Sequence, residues 1–162
     1  MRKLIIHITL FFSFFLYSQE PLFTLVDNSK TGIDFSNDLV DTKEHSIFLY
    51  ANYYGGAGVG IGDFDNDGLE DIFFAANLVD DKIYKNLGNF QFEDKTKMSG
   101  IINNGSWSTG VTVADVNNDG LLDIYVSCEL YDDLPYLRTN KLYINEGDFK
   151  FKESAENWGV DV

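Results

Sequence analysis

The sequence predicts an all-β fold made of two four-stranded antiparallel units. Three observations carry that expectation. First, Gly58-Val59-Gly60-Ile61-Gly62 and the acidic loop after it recur 52 residues later, as Gly110-Val111-Thr112-Val113-Ala114 and a second acidic loop. Second, the runs after each loop are β-branched and aromatic, the residue types that a pleated surface favours. Third, no stretch after residue 18 shows the 3.6-residue apolar spacing of an amphipathic helix.

In chain order, residues 1–18 read as a secretory signal. Arg2 and Lys3 begin it, residues 4–17 are almost wholly apolar, and Ser18 is a small residue at the expected cut. The apolar run has 14 residues, too few to span a bilayer, which takes about 20. Residues 19–57 form a connecting segment. Leu22-Phe23-Thr24-Leu25-Val26 and Ile47-Phe48-Leu49-Tyr50 are candidate strands within it, and residues 36–45 read as a polar loop.

The first unit, residues 58–109, continues past its loop with Ile72-Phe73-Phe74-Ala75 and Lys82-Ile83-Tyr84-Lys85-Asn86. A turn at Leu87-Gly88-Asn89 leads to Phe90-Gln91-Phe92-Glu93, which alternates with the period of a half-buried strand. The second unit, residues 110–162, repeats the order with Ile124-Tyr125-Val126-Ser127, Lys141-Leu142-Tyr143-Ile144-Asn145 and Phe149-Lys150-Phe151-Lys152. The offset grows to 59, so seven extra residues lie within residues 129–140. Gly100-Ile101 and Gly159-Val160 close the two units. Residues 23–33 mirror the last strand and exit of each unit, so they are expected to be an outer strand without its own blade. Four short strands in about 50 residues is the size of one propeller blade. Glycine in the strand before the first loop suits a place where neighbouring blades crowd near a central axis. Two blades do not close a ring, which takes about four to eight. We therefore expect a piece of an incomplete propeller with an apolar flank uncovered.

The acidic loops carry the chemistry. In Asp63-Phe64-Asp65-Asn66-Asp67-Gly68-Leu69-Glu70-Asp71, acids fall at positions 1, 3, 5 and 9, with glycine at 6. That is the oxygen-ligand spacing of a calcium loop. Asp63, Asp65, Asp67 and Asp71 offer carboxylates, and Leu69 a main-chain carbonyl. The second loop offers Asp115, Asn117, Asp119 and Asp123, with the carbonyl of Leu121. Because Asn117 is neutral, this loop is expected to bind its ion more weakly. An EF-hand needs Glu at position 12 and flanking helices, whereas these loops have Phe74 and Val126 there, in strand-like runs. Magnesium avoids dense all-protein cages, and no Cys/His cluster suits zinc.

The run from Gly58 to Gly68 resembles the FG-GAP/VCBS-type repeat. Phe23, Gly32-Ile33-Asp34-Phe35, Tyr54-Gly55-Gly56, the first loop, Lys82-Ile83-Tyr84-Lys85-Asn86 and Trp107-Ser108-Thr109-Gly110-Val111 are more specific. They resemble the N-terminal part of bacterial ASPIC/UnbV (CRTAC1-like) propeller proteins. The resemblance implies a β-propeller with calcium under each blade, held by Asp63, Asp65, Asp67, the Leu69 carbonyl and Asp71 in the first loop and by Asp115, Asn117, Asp119, the Leu121 carbonyl and Asp123 in the second.

The net charge of −14, which becomes −16 without Arg2 and Lys3, argues against nucleic acid and anionic membranes as partners. Cys128, the only cysteine, ends a strand-like run and reads as a small buried residue, with no internal disulfide. His45 is the only histidine after the signal, which leaves no Ser-His-Asp candidate. Tyr53, Tyr54, Trp107 and Trp158 read as core or blade-junction aromatics rather than sugar platforms. Asn104-Gly105-Ser106 matches a glycosylation sequon by chance. The expected protein is thus not an enzyme. It is an exported calcium-binding module, secreted, periplasmic or on the cell surface, that binds a protein or carbohydrate and pairs with further blades. The alternative is the non-catalytic portion of a secreted carbohydrate-active enzyme.

Overall fold

The computed structural model describes residues 21–129 and 134–162. The signal read at residues 1–18 and part of the enlargement within residues 129–140 lie outside the described residues.

The first described element is α1 (Asn28–Thr31), a single turn capped by the Asp27 carboxylate at its start and by Gly32 in the left-handed region at its end. The first sheet follows as β1 (Val59–Gly62), β2 (Asp71–Phe74), β3 (Lys82–Asn86) and β4 (Phe92–Asp94), closed by the one-turn helix α2 (Thr96–Ser99). The second consists of β5 (Trp107–Ala114), β6 (Asp123–Glu129), β7 (Lys141–Asn145) and β8 (Phe151–Glu153). One-turn helices α3 (Pro135–Arg138) and α4 (Ala155–Trp158) precede β7 and follow β8. Both sheets are antiparallel meanders in simple sequence order. Their registers correspond: Ile72 faces Tyr84 and Lys85 faces Glu93 in the first, Ile124 faces Tyr143 and Ile144 faces Lys152 in the second. The all-β reading with two four-stranded antiparallel units therefore holds.

The sheets pack face to face around Phe64, Phe73, Ile83, Ile124, Val126, Tyr143 and Phe151. Their closest approach explains the glycines of β1. A Cβ on Gly60 would lie 2.8 Å from Val111 Cγ1 and 2.9 Å from Val113 Cγ2, and one on Gly62 would lie 2.8 Å from Leu122 Cδ1. The exit of each unit rests on the next sheet. Gly32 and Gly100 each bring their backbone so close to the Phe92 or Phe151 carbonyl that a Cβ would sit 2.6 Å from it. Residues 28–34 thus occupy, on the first sheet, the place that residues 96–102 occupy on the second. Tyr84 Oη donates to Asp34 at 2.6 Å, as Tyr143 Oη donates to the Ile102 carbonyl at 3.0 Å.

Several expectations need correction. Residues 23–26 form no strand: Phe23 and Leu25 are exposed, and no neighbouring strand pairs with them among the described residues. Residues 47–50 form turns, with Leu49 and Tyr50 N–H both donating to the Ser46 carbonyl. Among the described residues there are four one-turn helices, each too short to leave a helical period in the sequence. β4 begins at Phe92, because Phe90 takes a left-handed backbone (φ 58°) in the turn. The boundary placed at residues 109 and 110 falls inside β5, whose pairing with β6 shifts register between Ser108 and Val111. Tyr53 and Trp107 are buried against each other with centroids 5.4 Å apart, as expected, but Tyr54 and Trp158 are exposed.

Candidate metal centre

Each acidic loop links the first two strands of its sheet, so β1 with β2, and β5 with β6, fix its ends. Within the first loop the carboxylates organise the main chain. Asp63 accepts from Asp67 N–H at 3.0 Å and Gly68 N–H at 2.8 Å, one on each oxygen. Asp67 Oδ1 accepts from Leu69 N–H at 2.9 Å. Asp71, fully buried, accepts from Phe64 N–H at 2.9 Å and Asn86 N–H at 2.8 Å. Gly68 has φ 89°, open to glycine at little cost.

The second loop repeats these bonds. Asp115 accepts from Asp119 and Gly120 N–H at 3.1 and 2.9 Å, and Asp119 from Leu121 N–H at 2.9 Å. Asp123 accepts from Val116 and Asn145 N–H at 2.9 and 2.8 Å. Asn117 sits where the first loop has Asp65, and its amide donates to Asp119 at 2.8 Å. The loops touch each other: Asn66 Nδ2 donates to the Gly120 carbonyl at 3.1 Å, and Asn145 Nδ2 to the Phe64 carbonyl at 2.8 Å.

Asp63, Asp65 and Asp71 each offer an oxygen, all within 4.8 Å of one another. Lys85 reaches in from β3 and donates to Asp65 and, at 2.7 Å, to Asp67. The other oxygen of Asp65, Oδ1, is buried with no hydrogen-bond partner. A buried anionic oxygen without a partner carries its desolvation cost uncompensated. An all-oxygen set of this kind matches a hard divalent cation, so the donors present fit calcium. Burial pushes the Asp71 carboxyl up to about 6 against the pull of the Asn86 and Phe64 N–H groups, and the charges of Asp65 and Asp67 push it the same way. Lys85 holds the Asp67 carboxyl below the usual range, helped by Leu69 N–H. The same contacts with Asp65 and Asp67 raise the Lys85 ammonium, which stays charged.

The structure therefore brings oxygens of Asp63, Asp65 and Asp71 of the first loop within 4.8 Å of one another, with Asp67 joined to Asp65 through Lys85. In the second loop Asp115, Asn117 and Asp119 are linked by hydrogen bonds and form no such group with Asp123 among the described residues. Sequence reasoning overlooked Lys85, Asn86 and Asn145. Their signal is the recurring Tyr84-Lys85-Asn86 and Tyr143-Ile144-Asn145, whose asparagines close the loops by donating to the Glu70 and Leu122 carbonyls at 2.8 and 3.0 Å.

Cys128 is buried, and burial pushes its thiol up to about 11, which makes it unreactive. His45 lies in a turn, its main-chain N–H on Thr42 Oγ1 at 3.0 Å. A cleft of about 380 Å³ opens at the start of β5, lined by Tyr50, Asn52, residues 55–58, Trp107, Thr109, Gly110 and Glu129. Tyr50 Oη donates to Glu129 at its rim.

The family model described as an FG-GAP-like repeat matches residues 63–126, from the first loop through the strand after the second. No curated protein matches the chain.

Proposed function

We infer that this chain is an exported propeller-type module whose two acidic loops hold calcium as structural ions, and that it works by binding a partner rather than by catalysis. The observation that carries the calcium reading is the buried, unpartnered Asp65 Oδ1 beside the oxygens of Asp63 and Asp71. When bound, calcium supplies positive charge that neutralises the crowded carboxylates. The chain's own contribution is to orient those carboxylates through main-chain N–H groups. The match to the FG-GAP-like repeat supports the propeller reading, and the finer resemblance to the ASPIC/UnbV group is part of this proposal. Export rests on the basic and apolar character of residues 1–18. Among the described residues no helix is long and apolar enough to cross a membrane.

The partner is a protein or carbohydrate. The strong negative charge disfavours polyanions, and the cleft with Tyr50, Asn52 and Glu129 offers neutral and acidic hydrogen-bonding groups. Thermal melts test the calcium reading, because an ion that binds only the folded state raises its stability by mass action. Calcium should raise the melting temperature relative to chelator, and Asp63→Ala should shrink the shift. Coincident melts with calcium and with chelator would overturn it.

A further inference from the structure

We propose that Lys85 is a built-in counter-cation, which lets the first loop fold without an ion and makes it the weaker of the two calcium sites. The proposal rests on the calcium reading of the loops and concerns how the two sites differ.

Aligning the units pairs Asp65 with Asn117 and Lys85 with Ile144. In the first unit the two charged residues meet: Lys85 donates to Asp65 and to Asp67. In the second unit both are absent. Asn117 instead donates a neutral amide hydrogen to Asp119 at 2.8 Å. The exchange conserves charge. The first site has four carboxylates and one ammonium, the second three carboxylates and none, so both carry a formal charge of −3. Counting carboxylates alone therefore ranks the loops wrongly.

The competitor at each site decides the order. A cation entering the first loop must displace an ammonium from two of its ligands, and such charge-assisted bonds are roughly twice as strong as neutral ones. At the second loop it displaces only an amide contact. This reverses the order expected from Asn117. Lys85 also has somewhere to go. Its ammonium lies 5.6 Å from the centroid of the Phe149 ring, in the turn between β7 and β8, a face that attracts cations, and its side chain is 22% exposed. Release of Lys85 thus keeps a favourable contact.

Calorimetric calcium titration of the full chain tests this, with melting temperatures read in parallel. Asp115→Ala should leave the weaker binding event and Asp63→Ala the tighter. In the Asp115→Ala background, Lys85→Ile should tighten the remaining event about tenfold, because a competing unit charge is removed. It should also lower the melting temperature in chelator. Lys85→Gln keeps length and hydrogen bonding, so it reports the charge if the isoleucine variant fails to fold. Adding Asp65→Asn to Lys85→Ile should restore ion-free stability. Calcium binding whose first-loop affinity stays within about twofold in both Lys85 variants would overturn the proposal alone. So would an Asp115→Ala protein that keeps the tighter event. No calcium binding by the unmodified chain would overturn the calcium reading and this proposal with it.

Discussion

Asp81 sits 2% exposed between the sheets, accepting from Ala76 N–H at 2.8 Å, Ser108 Oγ at 3.1 Å and Asn103 Nδ2 at 3.2 Å. Burial pushes its carboxyl up to about 6, opposed by the donors from Asn103, Ala76 and Ser108 and reinforced by the charge of Asp80. The folded value lies above the ordinary 3.8, so this group's contribution to stability is complete below that value and is lost as pH rises through about 6. Ionised Asp81 thus costs on the order of 3 kcal/mol at neutral pH, at about 1.4 kcal/mol per unit. The second unit solves the same problem without charge: Asn140 Oδ1 accepts from Cys128 N–H at 2.8 Å. Asp81→Asn keeps the acceptor for Ala76 and turns an amide toward Ser108, whose hydroxyl can accept. We expect it to gain about 1 kcal/mol near pH 7 and to flatten the loss of stability between about pH 4 and pH 7. Asp71 keeps part of that dependence. Denaturant unfolding across this range checks the outcome, and an unchanged pH profile would contradict it. Asp81 and Lys85 were illegible in the sequence for one reason. Their partners are tertiary: Ser108 lies 27 residues from Asp81, and Asp65 lies 20 from Lys85. The loop acids were legible because their ligand spacing is local.

At the level of elements, the junction between the sheets depends on the bare backbone of β1. Gly60 lies under Val111 and Val113 at a separation that a methyl group would close to less than 3.0 Å. Gly60→Ala should cost about 2 kcal/mol, the usual range for forcing a methyl into a packed interior. Val111→Ala made in addition should recover part of it. Gly110 in β5 is the control, because its Cβ would meet only Ser127, at 3.5 Å and beyond. Equal losses at both positions, read by thermal or denaturant unfolding, would contradict the packing account. The crowding around β1 was visible in its glycines, and β2, β3, β6 and β7 in their β-branched and aromatic runs. Residues 23–26 and 47–50 carry the same composition but form no strand. Composition marks a segment that can sit in a sheet, and only a neighbour with free N–H and C=O groups makes it do so. Residues 47–50 instead turn, which places Tyr50 edge-on to Trp107 with centroids 5.6 Å apart.

Across the whole molecule, the loops and the sheet junction form one structure. Phe64, at position 2 of the first loop, is fully buried and meets Phe151 edge to face at 5.9 Å. Its carbonyl holds Asn145, whose N–H in turn holds Asp123 of the second loop. Charge neutralisation in either loop therefore bears on how the sheets pack. The outer face of the first sheet presents Val59 and Ile61, both exposed, where the second sheet turns Val111 and Val113 onto its neighbour. That face would suit a further unit of the same type. The central claim, that each loop holds one calcium ion, is tested most directly by counting bound ions per chain with native mass spectrometry at saturating calcium. We expect two ions on the unmodified chain, and one each on Asp63→Ala and Asp115→Ala, since each substitution disables a single ligand set. A chain that carries no specific calcium, or a count of two that survives both substitutions, would contradict the account.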